Sequence, residues 1–267
     1  MKIRVFGIGT LCALGLAFWT AIPALAVEST ATGNGHVSFF GDYTEVGIID
    51  PEHPETDADP GESPSTTGDL RIDFVPQLNF TGENKISDKD SVYPANAQLF
   101  HDETEARGNF IQISDYRGAA LGWALQLRQE TQFQNTQTAN SQLDGAVLSF
   151  DKSWTSSRQT GMAAPIVSKE VIQLSSIGET YTLAEANPGA GIGTWAISFG
   201  ASSDNPAGLE GTLSPRAKRD GSDLLDEAYG NKQVHANSAV TLSVPGGTKK
   251  DSVAYTTVLT WLLAELP

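Results

Sequence analysis

The densest grouping of side chains able to pass a proton is His101 followed by Asp102, Glu103 and Glu105. Two carboxyl groups about 5–9 Å apart are what glycoside hydrolysis requires. With 32 acidic residues in the chain, many such pairs can be drawn, and a solvated loop face accounts for this cluster equally well. The nucleophile elbow G-x-S-x-G, the zinc motif H-E-x-x-H and the phosphate-binding P-loop are all missing. His36, His53, His101 and His235 have no metal-ligand spacing. Asp57 and Asp59, with Glu55 and Glu62, offer oxygens to calcium but lack the glycine and closing glutamate of an EF-hand loop, so a solvated loop is the preferred reading. No cofactor and no metal is expected. Trp123 and Trp261 are chemically more specific: an indole face stacks on the C–H face of a pyranose, excludes water and offers an N–H donor. Against that stands the ordinary role of a large aromatic on an apolar strand face, which is to fill a core.

Both tryptophans lie in runs of period-2 alternation, the mark of strands with one face inward. Leu121, Trp123, Leu125 and Leu127 form one such run, and Leu70, Ile72 and Phe74 another. Trp195, Ile197 and Phe199, then Val240, Leu242 and Val244, continue the pattern. Asn187-Pro188-Gly189 and Pro245-Gly246-Gly247 punctuate it as turns. Lys249 and Lys250 follow the second turn and could meet anionic groups, but read as solvated. Ser222 to Tyr229 is the best short helix candidate, with Ser222 as its cap. The pattern predicts an all-β, antiparallel β-sandwich-like single domain with long loops and little helix. The terminal strand is apolar on both faces: Tyr255, Thr257, Leu259, Trp261 and Leu263 on one, Thr256, Val258, Thr260, Leu262 and Ala264 on the other. It reads as buried on both faces, or as having one face in the core and one in a binding surface.

Lys2, Arg4, the apolar Val5 to Trp19 and the small-residue site Ala24-Leu25-Ala26 read as a signal peptide over 1–26, with the mature chain over 27–267. The sole cysteine, Cys12, falls in that leader, so the mature fold stands on its core without disulfides, as in bacterial exported proteins. Asp50 to Thr67 (DPEHPETDADPGESPSTT) reads as an acidic, proline-rich solvated loop or linker. A net charge of −15 rules against nucleic acid or an anionic membrane as electrostatic partners. No later stretch is long and apolar enough to span a bilayer.

Trp123-Ala124-Leu125 and Trp261-Leu262-Leu263 together resemble the paired signatures of WxL-domain cell-surface proteins of low-GC Gram-positive bacteria. The distal pattern is the more specific, since Tyr255, Leu259, Thr260, Trp261, Leu263 and Pro267 all match it. The resemblance extends to the acidic lead-in, LRIDFVPQLNFTGENKIS (70–87), DGAVLSF (144–150), GTWAISFG (193–200) and VTLSVPG (240–246). Leu262 makes the distal motif unusually apolar, and residues 201–236 match no motif. The resemblance implies a secreted, non-enzymatic module attached non-covalently to the cell wall. Its partner would be peptidoglycan or a wall-bound surface protein, with Trp123, Leu125 and the distal residues as binding or motif positions. A covalently sorted wall protein would instead carry LPxTG, an apolar segment and basic residues. A carbohydrate-active enzyme on a β-sandwich is the reading from another class.

Overall fold

The computed structural model describes residues 47–267 except Gly82, Glu83 and Pro267. The leader, Cys12, His36 and Pro267 therefore lie outside the described residues. Strands run β1 (Leu70–Phe74), β2 (Ser91–Asn96), β3 (Asn109–Asp115), β4 (Trp123–Gln129), β5 (Val147–Phe150), β6 (Ser153–Ser157) and β7 (Ile166–Val167). They continue as β8 (Ile172–Leu174), β9 (Thr180–Ala186), β10 (Gly193–Phe199), β11 (Leu213–Pro215), β12 (Leu225–Asp226), β13 (Lys232–Gln233), β14 (His235–Val244) and β15 (Leu259–Glu265). Three main sheets result, ordered β1-β3-β10-β6, β11-β14-β5-β8 with β2 also on β14, and β15-β4-β9-β7; β12 and β13 form a separate pair. All pairings between named strands are antiparallel. The all-β expectation is borne out.

Most of the alternating residues meet in one core that all three sheets share, while Phe74 packs on the far side of the first sheet and Leu242 and Val244 in a smaller cluster with Phe133. Ile111 and Ile113 of β3 lie opposite Ile197 and Trp195 of β10, and their side chains join Trp123, Leu125 and Leu127 of β4, Leu148 and Phe150 of β5, and Val240 of β14. The second face of β3 and β10 is buried too. Phe110 and Ala196 pack there against Ile49, Ala58, Phe74 and Phe100. The start of the acidic stretch thus serves as a cover for the first sheet, unlike the solvated linker expected. Asp50 and Glu52 are buried, because Arg107 reaches Asp50 through Nε at 2.8 Å and Nη2 at 2.9 Å. Ser202 donates its backbone N–H to Glu52 at 2.7 Å. A paired carboxylate with its lone pairs occupied can be buried where an unpaired one cannot. The stretch is open at His53 and Glu55–Asp57, and again from Pro64 to Thr67.

Two further expectations are corrected. Ser222 to Tyr229 is not a helix: it contains β12 and a 3-10 turn over Glu227–Tyr229, capped by Asp226 instead of Ser222 and ended by Gly230 at φ 64°. Eight residues are too few to repay helix nucleation in isolation, and within the segment Leu224 and Tyr229 pack against the small core beneath. The terminal strand β15 is not buried on both faces. It is an edge strand, half-buried from Leu259 to Leu263 and exposed at Ala264 and Glu265.

Candidate functional site

The two motif tryptophans sit on adjacent strands, since β15 pairs with β4 from Leu259↔Gln129 to Glu265↔Trp123. Their surroundings differ. Trp123 is 0 % exposed, and its Nε1 donates to the Gly191 carbonyl at 3.1 Å. Gly191 has φ 71°, and a Cβ on it would lie 2.5 Å from the Ala186 Cβ and 2.7 Å from the Trp123 Nε1. Only glycine accepts that backbone conformation and that proximity together. Leu125 is also 0 % exposed. Trp123 and Leu125 are therefore core residues with no surface to offer a ligand.

Trp261 is different. It lies opposite Leu127, packs with Leu259 and Leu263 onto the edge of the core, and remains half-buried. Among the described residues, Trp123, Trp154 and Trp195 each donate the indole N–H to a backbone carbonyl (Gly191, Gly200 and Ile192). The Trp261 indole N–H has no such acceptor. Trp261 lines a cleft of about 1140 Å³ whose apolar lining includes Ile72, Val75, Leu78, Phe80, Phe133, Leu148 and Leu259. Pro64–Thr66 and the segment from Pro76 to Thr81 form other parts of its border. This is a large space by the standard of small-molecule sites, which run to about 1,000 Å³.

The remaining distal residues hold the strand in place. The Tyr255 hydroxyl donates to the Asn140 carbonyl at 2.8 Å and accepts the Asp251 N–H at 2.9 Å, fastening two loops at one end of the cleft. Asp251 accepts from the Thr138 hydroxyl and from Asn140 N and Nδ2, at 2.9 and 2.7 Å. These bonds, that of the Thr138 hydroxyl foremost, hold its carboxyl below the usual range. The Thr260 side chain points to the outer face and donates to Glu130, which also pairs with Arg128 at 2.8 Å. Lys250 folds back onto the Thr248 carbonyl at 2.8 Å, and Lys249 is exposed.

His101 stacks on Tyr229 with centroids 4.5 Å apart. Asp102 accepts the N–H groups of Asp59 at 2.6 Å and Thr104 at 2.8 Å. Burial opposes the charge on Asp102, but hydrogen bonds from Thr104 and Asp59 prevail and hold its pKa low, the wrong direction for a general acid. Asp57 pairs with Arg158, and Asp59 accepts the Gly61 N–H. Among the described residues no group of His, Cys, Asp and Glu could hold a metal ion, and no helix is long and apolar enough to cross a membrane. Sequence reasoning did not find Gly191, the Arg107 network or the cleft floor. Gly191, in the turn-like run Gly189-Ala190-Gly191, was the one with a visible signal.

The family model described as WxL domain surface cell wall-binding matches residues 26–267. No curated protein matches the chain, and no solved structure matches it. The match spans more than half of the chain, and the chain belongs to the WxL-domain family of surface cell wall-binding proteins.

Proposed function

We propose that this wall-binding domain is a non-enzymatic module whose ligand is peptidoglycan, held in the cleft against Trp261. The observation that carries the reading is the half-buried indole with a free N–H on the wall of a large apolar cleft. Such a ring stacks on a sugar's C–H face while its N–H meets a hydroxyl. Trp123 supports the site from below by packing and does not touch the ligand. Tyr255 and Thr260 position β15 through their hydroxyls, and Leu259 and Leu263 seat it on the core. Among the described residues the one carboxylate lining the cleft, Asp251, accepts hydrogen bonds from Thr138 and Asn140, which supports binding without hydrolysis.

The test is co-sedimentation of the 27–267 chain with peptidoglycan stripped of protein and teichoic acid. Trp261→Ala should reduce the pelleted fraction at least tenfold in apparent affinity, while Trp123→Phe, checked for folding by near-UV circular dichroism, still pellets. Pelleting of folded Trp261→Ala at wild-type affinity would remove the cleft from wall binding. Release of reducing sugar from the pelleted wall would overturn the non-enzymatic reading.

A further inference from the structure

Edge strands expose a row of unpaired N–H and C=O groups, and secreted proteins ordinarily blunt them with proline, lysine, a bulge or a covering loop. β15 carries none of the first three: LTWLLAE contains no proline or lysine, and its register to β4 is unbroken over all seven residues. The hydrogen-bond phase follows from the flanking bonds. Glu130 donates to the Val258 carbonyl at 2.9 Å, and Leu266 donates to the Gly122 carbonyl at 3.4 Å. In an antiparallel ladder bonded pairs alternate, so Thr260, Leu262 and Ala264 bond to β4. Leu259, Trp261 and Leu263 therefore aim their backbone groups outward, and none of these has a partner among the described residues. Leu259 and Trp261, two of these three, also line the cleft, so the cleft runs along this edge.

We infer that this edge takes an extended polypeptide segment of a partner protein, added as a strand beside β15, with alternate apolar side chains set into the cleft. Three features select that occupant. The outward groups recur every second residue, about 6.6–6.8 Å apart, the repeat of another strand. A peptide ladder satisfies donors and acceptors in that alternating order, which a glycan's hydroxyls do not match. The half-buried apolar lining, at Leu78, Phe80 and Leu259, takes side chains of period 2. A second copy of this chain fits less well, because it would bring a whole sheet behind its strand. The Pro64–Thr66 bank borders the same cleft. This inference stands apart from peptidoglycan binding, whose pelleting assay can fail or succeed independently.

The experiment is amide hydrogen exchange by NMR on the 27–267 chain, with an eight-residue peptide of alternating threonine and valine, lysine at each end. Addition should slow exchange at Leu259, Trp261 and Leu263 at least tenfold and leave Thr260 and Leu262 unchanged. Two N-methylated versions complete the test. Methylation on the residues that face the edge should abolish the protection, and methylation one residue out of phase should leave it intact. Equal effects of the two methylated peptides, or no protection at millimolar peptide, would overturn the inference. Concentration-dependent protection of the same amides without peptide would also overturn it, assigning the edge to a second copy.

Discussion

Gly191→Ala should damage the fold through a tryptophan distant from it in sequence. The substitution forces alanine to φ 71°, which costs about 1–2 kcal/mol. Its Cβ would also arrive 2.5 Å from the Ala186 Cβ and 2.7 Å from the Trp123 Nε1; overpacking of this kind costs about 1–3 kcal/mol. The expected total is about 2–5 kcal/mol, or a fall in Tm of roughly 4–20 °C for a domain of this size. Trp123→Phe removes the indole nitrogen and orphans the buried Gly191 carbonyl, at about 1–3 kcal/mol. The two changes share one contact, so they should not add. In the phenylalanine background the struck Nε1 is gone, and Gly191→Ala should cost less by about 1 kcal/mol or more. Urea melts of the four proteins, read by circular dichroism and by the fluorescence of the remaining tryptophans, give the cycle. An unchanged cost of Gly191→Ala in both backgrounds would refute the argument that this glycine exists to admit the indole.

Arg107→Met should leave Asp50 buried without its cation and destabilise the fold by about 3–5 kcal/mol. Faster proteolysis within 50–59 would accompany the lower melting midpoint, and little dependence on salt is expected for so buried a pair. The loop clip at Asp251 should be acid-labile. Its carboxyl is held below the ordinary value of 3.8, chiefly by the Thr138 hydroxyl and then by Asn140. The stabilisation is therefore fully present above the unfolded value and lost as pH falls through the lower folded one. Hydrogen exchange at 249–256 followed from pH 5 to pH 2 should show the loops loosening in wild type. Asp251→Asn should flatten that dependence, and an equally steep profile in the variant would place the acid sensitivity elsewhere.

Strand identity was legible because alternation is local. Trp123 to Leu127 and Trp195 to Phe199 declare a buried face without reference to any neighbour, and both faces of β10 proved buried, although Leu121, read into the first run, lies exposed before β4. The cover over the first sheet was not legible. Asp50 and Glu52 look solvated until Arg107, 57 residues from Asp50, and Ser202, 150 residues from Glu52, come into range. The same limit applies to the terminal strand. Its two apolar faces are equally compatible with a central strand and with an edge strand, and only the sheet order separates them. The fate of Ser222 to Tyr229 turned on length: its short amphipathic pattern is real, but the segment forms β12 and a capped 3-10 turn.

The paired signature carries two different physical tasks. Trp123 is bound by its nitrogen, enclosed by Gly191 and Ala186, and placed in the middle of its sheet between β15 and β9. It has nothing left to give a ligand. Trp261 lies on the neighbouring strand with its nitrogen unspent and one side in the cleft. The first fixes β4 firmly enough that the second, held by a ladder to β4, stands at a defined position on an otherwise vulnerable edge. An edge strand with an apolar outer face, Leu262 and Val258 included, would ordinarily be selected against in an exported protein. Its retention makes sense if the edge is normally occupied, whether by a wall glycan across Trp261 or by a strand along Leu259 to Leu263. In either case the apolar character of the distal motif reflects the complex the chain enters, in addition to the fold it adopts alone.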